Sequence, residues 1–206
     1  MGELTAREAE TFERCMAVGG MAVFPADTVY GVACDPDAKE AVQRICLLKR
    51  RPISKPSAVM FFQPSLALAA LPELRPRTRD ALLALLPGAV TLVLPNPSGR
   101  FPLACGEDRT TLGLRVPALP PALAALEQVT WPVWQSSANL AGGRPARRLE
   151  EVPRELRLAA DMVLDGGPLP GTASTVVDLR HYEDDGTWTV QRHGAISEAD
   201  VAARLG

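Results

Sequence analysis

The sequence predicts a single mixed α/β (α+β) domain over residues 1–206, built on a twisted mixed β-sheet flanked by helices. Three observations carry this reading. Apolar runs of strand length interleave with stretches of helical period and follow no strict alternation of strand and helix. A length of 206 residues fits one large hydrophobic core. No linker, internal repeat or low-complexity tract divides the chain.

The elements follow in order. Residues 5 to 18 read as a helix, with Thr5 as N-cap, Glu8 three positions on, and Gly19-Gly20 as the stop. Met21 to Phe24 is a short buried strand that breaks at Pro25, where the missing N–H ends a ladder and hands the chain to a loop. Asp37 caps a second helix whose apolar positions Ala41, Val42, Ile45, Leu47 and Leu48 keep a helical period to near Pro52. Ser57 to Phe62 is a strand, Ser65–Leu71 and Thr78–Leu86 are helices, and Pro87-Gly88 is a break.

Val90–Leu94 and Thr111–Val116 are strands separated by a Pro-, Gly- and charge-rich loop, Pro95 to Asp108, with the composition of a flap. Pro120–Gln128 is a helix, Val133–Gln135 a short strand, and Leu149–Ala159 an amphipathic helix after the Gly142-Gly143-Arg144-Pro145 turn. Met162–Leu164, Thr175–Leu179 and Thr187–Gln191 are strands. Asp184-Asp185-Gly186 marks a hairpin turn between the last two, and Ser197 caps a closing helix to Leu205.

Hydrophobic residues make up 47% and charged residues 22%, ordinary globular values that exclude extensive disorder and collagen-like classes. No apolar run has bilayer length and Met1 to Glu10 is acidic rather than signal-like, so the expectation is a cytoplasmic protein without a membrane partner. Cys15, Cys34, Cys46 and Cys105 are scattered, with only His181 and His193 to join them; free thiols and no metal site are expected. A net charge of −2 lacks the global basicity of non-specific nucleic-acid binding.

Local charge is more informative. There are 19 arginines and three lysines, and two of those lysines, Lys49 and Lys55, flank Arg50 and Arg51. Taken alone the cluster reads as a solvated helix end favoured by the helix dipole; coupled to the other motifs it reads as an anion site. Far along the chain, Gln135-Ser-Ser-Ala-Asn139 supplies hydroxyls and an amide after an apolar strand, where ligand loops of α/β sheets lie. Neither a Gly-x-x-x-x-Gly-Lys-Ser/Thr loop nor a Gly-x-Gly-x-x-Gly is present, which argues against P-loop and Rossmann nucleotide sites.

Lys49-Arg-Arg51 with the distant Ser137-Ala-Asn139 resembles the Lys-x-Arg and Ser-x-Asn signature of the YrdC-like family of threonylcarbamoyl-AMP synthases. The likeness continues through Pro25 to Gly31, Cys34-Asp-Pro-Asp37, Pro87 to Leu94, Leu112 to Pro117, Leu164 to Gly167, Ser174 to Leu179 and Gln191 to Gly194, in the family's order from about residue 20 to the C-terminus. The resemblance implies a YrdC-like domain with a concave basic cleft. It also implies condensation of L-threonine, bicarbonate or CO2 and ATP to threonylcarbamoyl-AMP and pyrophosphate, upstream of proteins that transfer the group to tRNA adenosine 37.

By the same resemblance, Lys49 and Arg51 would contact the triphosphate as the catalytic cations, with Ser137, Asn139 and Arg192 also on the nucleotide. Arg115 would hold the threonine carboxylate, with Ser174, Thr28 and Tyr30 on the amino-acid side. Ser137 and Asn139 also fit a loop-closing turn, and Ser174 and Arg192 also fit ordinary strand-edge residues. Mg2+ would enter on the ATP phosphates, since no dense carboxylate cluster stands near the motifs and Asp27 is the one nearby acid. Ala26, Met60 and Ala173 depart from the family pattern, all on the expected amino-acid side. Two alternatives stand beside synthesis: a diverged paralogue that binds RNA without making the adenylate, and an ATP-dependent enzyme using another amino acid.

Overall fold

The computed structural model describes residues 3–206; Met1 and Gly2, the start of the expected domain, lie outside the described residues. Helix α1 (Ala6–Ala17) opens on the expected box: Thr5 Oγ1 accepts from the Glu8 amide at 3.2 Å, and the Glu8 carboxylate accepts from the Thr5 amide at 2.8 Å. Its apolar face buries Ala9, Phe12 and Met16. Strand β1 (Met21–Pro25) then runs through the core.

Pro25 does not end the ladder as its sequence suggests. It is paired with Tyr30 at the start of an unexpected strand, β2 (Tyr30–Cys34), so the predicted loop is only the tight turn between them. The proline is tolerated there because the backbone of Tyr30 is satisfied elsewhere: its amide donates to the Ala146 carbonyl at 2.9 Å and its carbonyl accepts from Ala138 at 2.8 Å.

Helix α2 (Lys39–Leu48) begins at Ala38, and Asp37 is not its side-chain cap. The Asp37 amide is turned back onto the Asp35 carboxylate at 2.6 Å, so Asp37 belongs to the turn before the helix. The helix ends in a Schellman pattern, with the Arg50 amide on the Leu47 carbonyl and the Arg51 amide on that of Cys46, at 3.0 and 2.9 Å. The left-handed residue this stop requires is Arg50, at φ +52°.

Strand β3 (Ala58–Met60), helices α3 (Pro64–Ala70) and α4 (Pro76–Leu85), and strands β4 (Val90–Pro95) and β5 (Thr111–Arg115) follow close to expectation. Both helices carry proline in the first turn, where no amide partner is lost. Pro121–Gln128 is a 3-10 helix rather than an α-helix; its buried residues, Leu123 and Leu126, sit three apart, the spacing that aligns on a 3-10 turn. Strand β6 (Val133–Ser137) is next.

The single helix expected over Leu149–Ala159 is divided into a 3-10 turn at Leu149–Glu151 and helix α5 (Arg154–Ala159), because Pro153 between them cannot continue a helix. Strands β7 (Met162–Val163) and β8 (Thr175–Asp178) lead to one turn of helix, α6 (Tyr182–Asp185), and strand β9 (Thr189–Arg192). The expected hairpin turn at Asp184-Asp185-Gly186 is instead the end of α6, which Gly186 closes at φ +77°. Helix α7 (Glu198–Leu205) starts from a Ser197–Asp200 capping box.

Among the described residues nine strands form one mixed sheet in the order β7-β1-β2-β6-β3-β5-β4-β8-β9. Pairs β1–β7, β3–β5 and β4–β8 are parallel and the rest antiparallel. In β4 and β5 the side chains alternate: Leu92, Leu94, Leu112 and Leu114 enter the core, while Thr91, Val93, Thr111 and Gly113 stay half-buried on the other face. That half-open face carries the site.

The segment from Pro95 to Asp108 is anchored rather than free to act as a flap. Asn96 is buried and donates to the Arg100 and Arg109 carbonyls at 3.0 Å each, and Arg100 pairs with Glu73 at 2.8 Å. The Ala104 carbonyl accepts from Ser57 at 2.8 Å and that of Leu103 from the Trp134 indole at 3.2 Å. Gly106 lies so close to Ser54 that a Cβ there would collide with its carbonyl oxygen.

Candidate active site

Two adjoining cavities open on the polar face of the sheet. The larger, about 520 Å3, has Arg51, Lys55, Arg180 and Arg192 in its wall and a single acid, Asp108. The smaller, about 60 Å3, receives Arg115, Tyr30, Ser137 and Ser174. Thr91, Gln135 and Arg192 line both, so the two spaces share a wall. Among the described residues, Arg51, Lys55 and Arg192 have no carboxylate within 4.0 Å. Uncompensated cations around a cavity favour a polyanion.

The end of α2 delivers the first cations. The left-handed turn at Arg50 sends Arg51 back toward the sheet, where its guanidinium lies over the Trp134 ring at 5.9 Å and donates to the Pro56 carbonyl at 2.5 Å. Its Nη1 is buried without a partner, a donor left for a ligand.

Lys49 is placed differently from a solvated helix end. It is 2% exposed, lines neither cavity, and its ammonium donates to the backbone carbonyls of Ser137 and Asn139. In return the Ala141 amide donates to the Lys49 carbonyl at 2.9 Å. The lysine thus ties the loop after α2 to the loop after β6. Burial, reinforced by the charge of Arg51, pulls its pKa down to about 8.

Ser137, the last residue of β6, faces the smaller cavity. Asn139 lines neither; its Nδ2 donates to the Leu140 and Gly143 carbonyls at 2.8 Å each, closing the turn, while its buried Oδ1 has no partner.

On the other side, Arg115 and Asp27 form an ion pair at 2.7 Å whose side chains are each 4% exposed. Asp27 also accepts from the Ala118 amide at 3.2 Å, and Arg115 reaches Thr28 Oγ1 at 3.4 Å. Burial raises the Asp27 carboxyl against the opposing pull of Arg115. Arg115 Nε is buried and unpartnered, so the guanidinium keeps donor capacity beyond the pair. Thr28 is buried behind Arg115 and does not line the smaller cavity. Tyr30 does, but its hydroxyl is turned to Asp165 and the Gly167 carbonyl at 2.9 Å each.

Ser174 Oγ and Thr91 Oγ1 lie 2.8 Å apart, and Arg192 on β9 donates to the Ser174 carbonyl at 2.7 Å from the exposed rim. Arg115 and Arg192 both line the smaller cavity, and partial desolvation together with the charge of Arg115 lowers the Arg192 pKa. Of the three departures, Ala26 and Ala173 line the smaller cavity. Met60 does not: it is fully buried in β3, paired in register with Arg115 and Val133, and belongs to the core rather than the amino-acid side.

The structure gives places in the site to residues to which the motifs assigned no individual role. Arg180 enters the larger cavity with its guanidinium forked onto Asp178 at 2.6 to 3.0 Å, and Gln191 donates to the same carboxylate at 2.8 Å. Thr91 and Gln135 stand at the junction of the two cavities. The alternation of Val90-Thr-Leu-Val-Leu94 put Thr91 on the open face and could have marked it; nothing local marks Arg180. Cys34, Cys46 and Cys105 are buried free thiols and Cys15 is half-buried. Among the described residues no group of three or more His, Cys, Asp or Glu could hold a metal ion, and no helix is long and apolar enough to cross a membrane.

Comparison with known proteins adds four findings. The Sua5/YciO/YrdC family model, described as "Telomere recombination", matches residues 14–194. A threonylcarbamoyl-AMP synthase of Stenotrophomonas maltophilia is 38% identical over 174 residues, covering 81% of this chain and 88% of that protein. Among solved structures, Sua5 of P. abyssi complexed with L-threonine superimposes with a TM-score of 0.83 at 25% identity over 98% of this chain, which spans 58% of that longer protein. YciO of E. coli superimposes with a TM-score of 0.79 at 26% identity over 97% of this chain and 95% of that one.

Proposed function

The chain belongs to the Sua5/YciO/YrdC family, and from that premise we propose that it is an L-threonylcarbamoyladenylate synthase. It condenses L-threonine, bicarbonate or CO2, and ATP to threonylcarbamoyl-AMP and pyrophosphate. The observation that carries this reading is the pair of joined cavities, a small one reached by the Arg115 guanidinium and a larger one walled by unpaired cations, meeting at Thr91, Gln135 and Arg192. An amino acid in the first and a triphosphate in the second would meet at that junction.

The chemistry asks for alignment and charge neutralisation rather than a side-chain nucleophile. Arg51, Lys55 and Arg192 hold the phosphates, Arg51 and Arg192 through planar forks and Lys55 as a point charge. Lys49 and Asn139 fix the turn that presents Ser137. Arg115, aimed by Asp27, takes the amino-acid carboxylate, with Ser174 beside it. Asp108, the one carboxylate in the larger wall, would stand beside a Mg2+ held mostly by the ATP phosphates and water, which would supply further charge neutralisation there.

Threonylcarbamoyl-AMP would pass to cytoplasmic proteins that transfer the group to tRNA adenosine 37. Synthesis is favoured over RNA binding alone by the names of the relatives and by cations gathered about a cavity within a chain of net charge −2. The test is pyrophosphate release with ATP and magnesium across the amino acids: release dependent on both threonine and bicarbonate is expected. Release with another amino acid alone, or none at all, defeats the reading.

A further inference from the structure

The smaller cavity has cations for a carboxylate and no acid for an ammonium. Its wall is drawn from β2, β4, β5, β6, β9, the turn before β2 and the segment before β8, and its charged or titratable members are Tyr30, Arg115 and Arg192 alone. The nearest acids are spoken for. Asp27 stands behind Arg115, with one oxygen on the guanidinium and the other on the Ala118 amide. Asp165 accepts from the Tyr30 hydroxyl and the Gly167 amide, at 2.9 Å each. Among the described residues no histidine, lysine or carboxylate lines the space to act as a base.

A zwitterionic amino acid seated with its carboxylate on Arg115 would bring its ammonium into a space with Arg192 in its wall and no protein carboxylate to receive it. Like charge disfavours the protonated amine. Resting on the synthase reading above, we infer that the cavity takes threonine with its amine uncharged, the proton passing to solvent as the amino acid binds. The cavity's charge then replaces a general base. The freed lone pair forms the N–C bond to CO2 as one C=O π pair moves onto oxygen, and one of the two N–H protons passes to solvent while the other stays on nitrogen, giving the carbamate. A carbamate oxygen bonds to the α-phosphorus of ATP as the bond to the β-phosphate bridge breaks, and its electron pair departs with pyrophosphate.

The test is calorimetric titration of the full chain with threonine, in the presence of a non-hydrolysable ATP analogue, in HEPES and in Tris at one pH. The heats should differ by about one proton released per threonine bound, and the affinity should tighten about tenfold per pH unit from 6 to 8. The analogue 3-hydroxybutyrate, which keeps the carboxylate and hydroxyl but lacks the amine, should release none. Equal threonine heats in the two buffers overturn the inference and leave the synthase reading standing. The same release with 3-hydroxybutyrate also overturns it, by placing the proton on the protein. No threonine binding at any pH defeats both.

Discussion

The Lys49 ammonium lies 2.7 Å from the Asn139 carbonyl oxygen, across 90 positions of sequence. Because it also donates to the Ser137 carbonyl, the two signature segments form one structural unit rather than two separate donors to a ligand. Lys49→Ala is therefore expected to cost stability as well as activity. Each buried carbonyl left unpaired costs about 1 to 3 kcal/mol, and at this length Tm falls by about 2 to 4 °C per kcal/mol. Unchanged melting with lost turnover would move the lysine's role into the cavity.

The same burial gives a pH dependence. With the folded pKa pulled to about 8 and the unfolded one near its ordinary 10.5, the unfolded chain binds more protons between those values, so stability rises with pH through that window. Below pH 8 the buried charge is a standing cost. Urea midpoints of the wild type, taken against Lys49→Met, should diverge in the wild type's favour by up to about 1.4 kcal/mol per pH unit above 8. A flat difference would mean that the two carbonyls hold the ammonium protonated throughout.

Much of the fold was legible because it rests on local chemistry. Thr5 and Ser197 announced their helices by capping boxes, and β4 and β5 by their alternation. Strand β2 was hidden: all five of its residues are buried, so it has no alternation, and Pro25 before it reads as a stop. Pro153 was the readable break in the helix expected over Leu149–Ala159, and its veto outweighs the amphipathic pattern. The motif residues were visible in sequence, but their division of labour was not. The burial of Lys49, the Asp27–Arg115 pair and the entry of Arg180 depend on strands brought together by non-local pairing.

Arg50 offers a test of backbone strain at the site's edge. It is exposed, lines neither cavity, and holds the left-handed conformation that ends α2. Left-handed backbone costs a non-glycine residue about 1 to 2 kcal/mol, partly offset by glycine's greater freedom when unfolded. Arg50→Gly should therefore be neutral to stabilising, by up to about 1 kcal/mol. Retained pyrophosphate release with a raised denaturation midpoint is the expected result; a sharp loss of ATP affinity would assign Arg50 to the phosphates.

Removing Asp27 leaves the Arg115 guanidinium buried without a counter-charge, and breaking such a pair costs about 3 to 5 kcal/mol. Asp27→Leu should unfold at markedly lower denaturant. Arg115→Lys is the milder probe, since it keeps the charge and loses the fork that spans Asp27 and the cavity. Threonine KM should rise more than ATP KM in steady-state assays. The reverse order would put Arg115 on the nucleotide.

Ala26 lets space and hydrogen bonding be separated at one position. It is buried in the wall of the 60 Å3 cavity and does not reach the larger one, so a bigger side chain there should disturb the amino acid and spare ATP. Valine and threonine have nearly the same shape. Overfilling a packed site costs about 1 to 3 kcal/mol, and both Ala26→Val and Ala26→Thr incur it. The threonine hydroxyl alone can then return about 0.5 to 1.5 kcal/mol through one hydrogen bond to the bound amino acid. Ala26→Val is thus expected to weaken threonine more than Ala26→Thr does, by roughly two- to tenfold on that scale. Calorimetric titration of the three proteins with threonine, and separately with the ATP analogue, measures both. Equal threonine affinities in the two variants would show that the side chain at position 26 meets only apolar neighbours, and parallel losses for the ATP analogue would break the assignment of the smaller cavity to the amino acid.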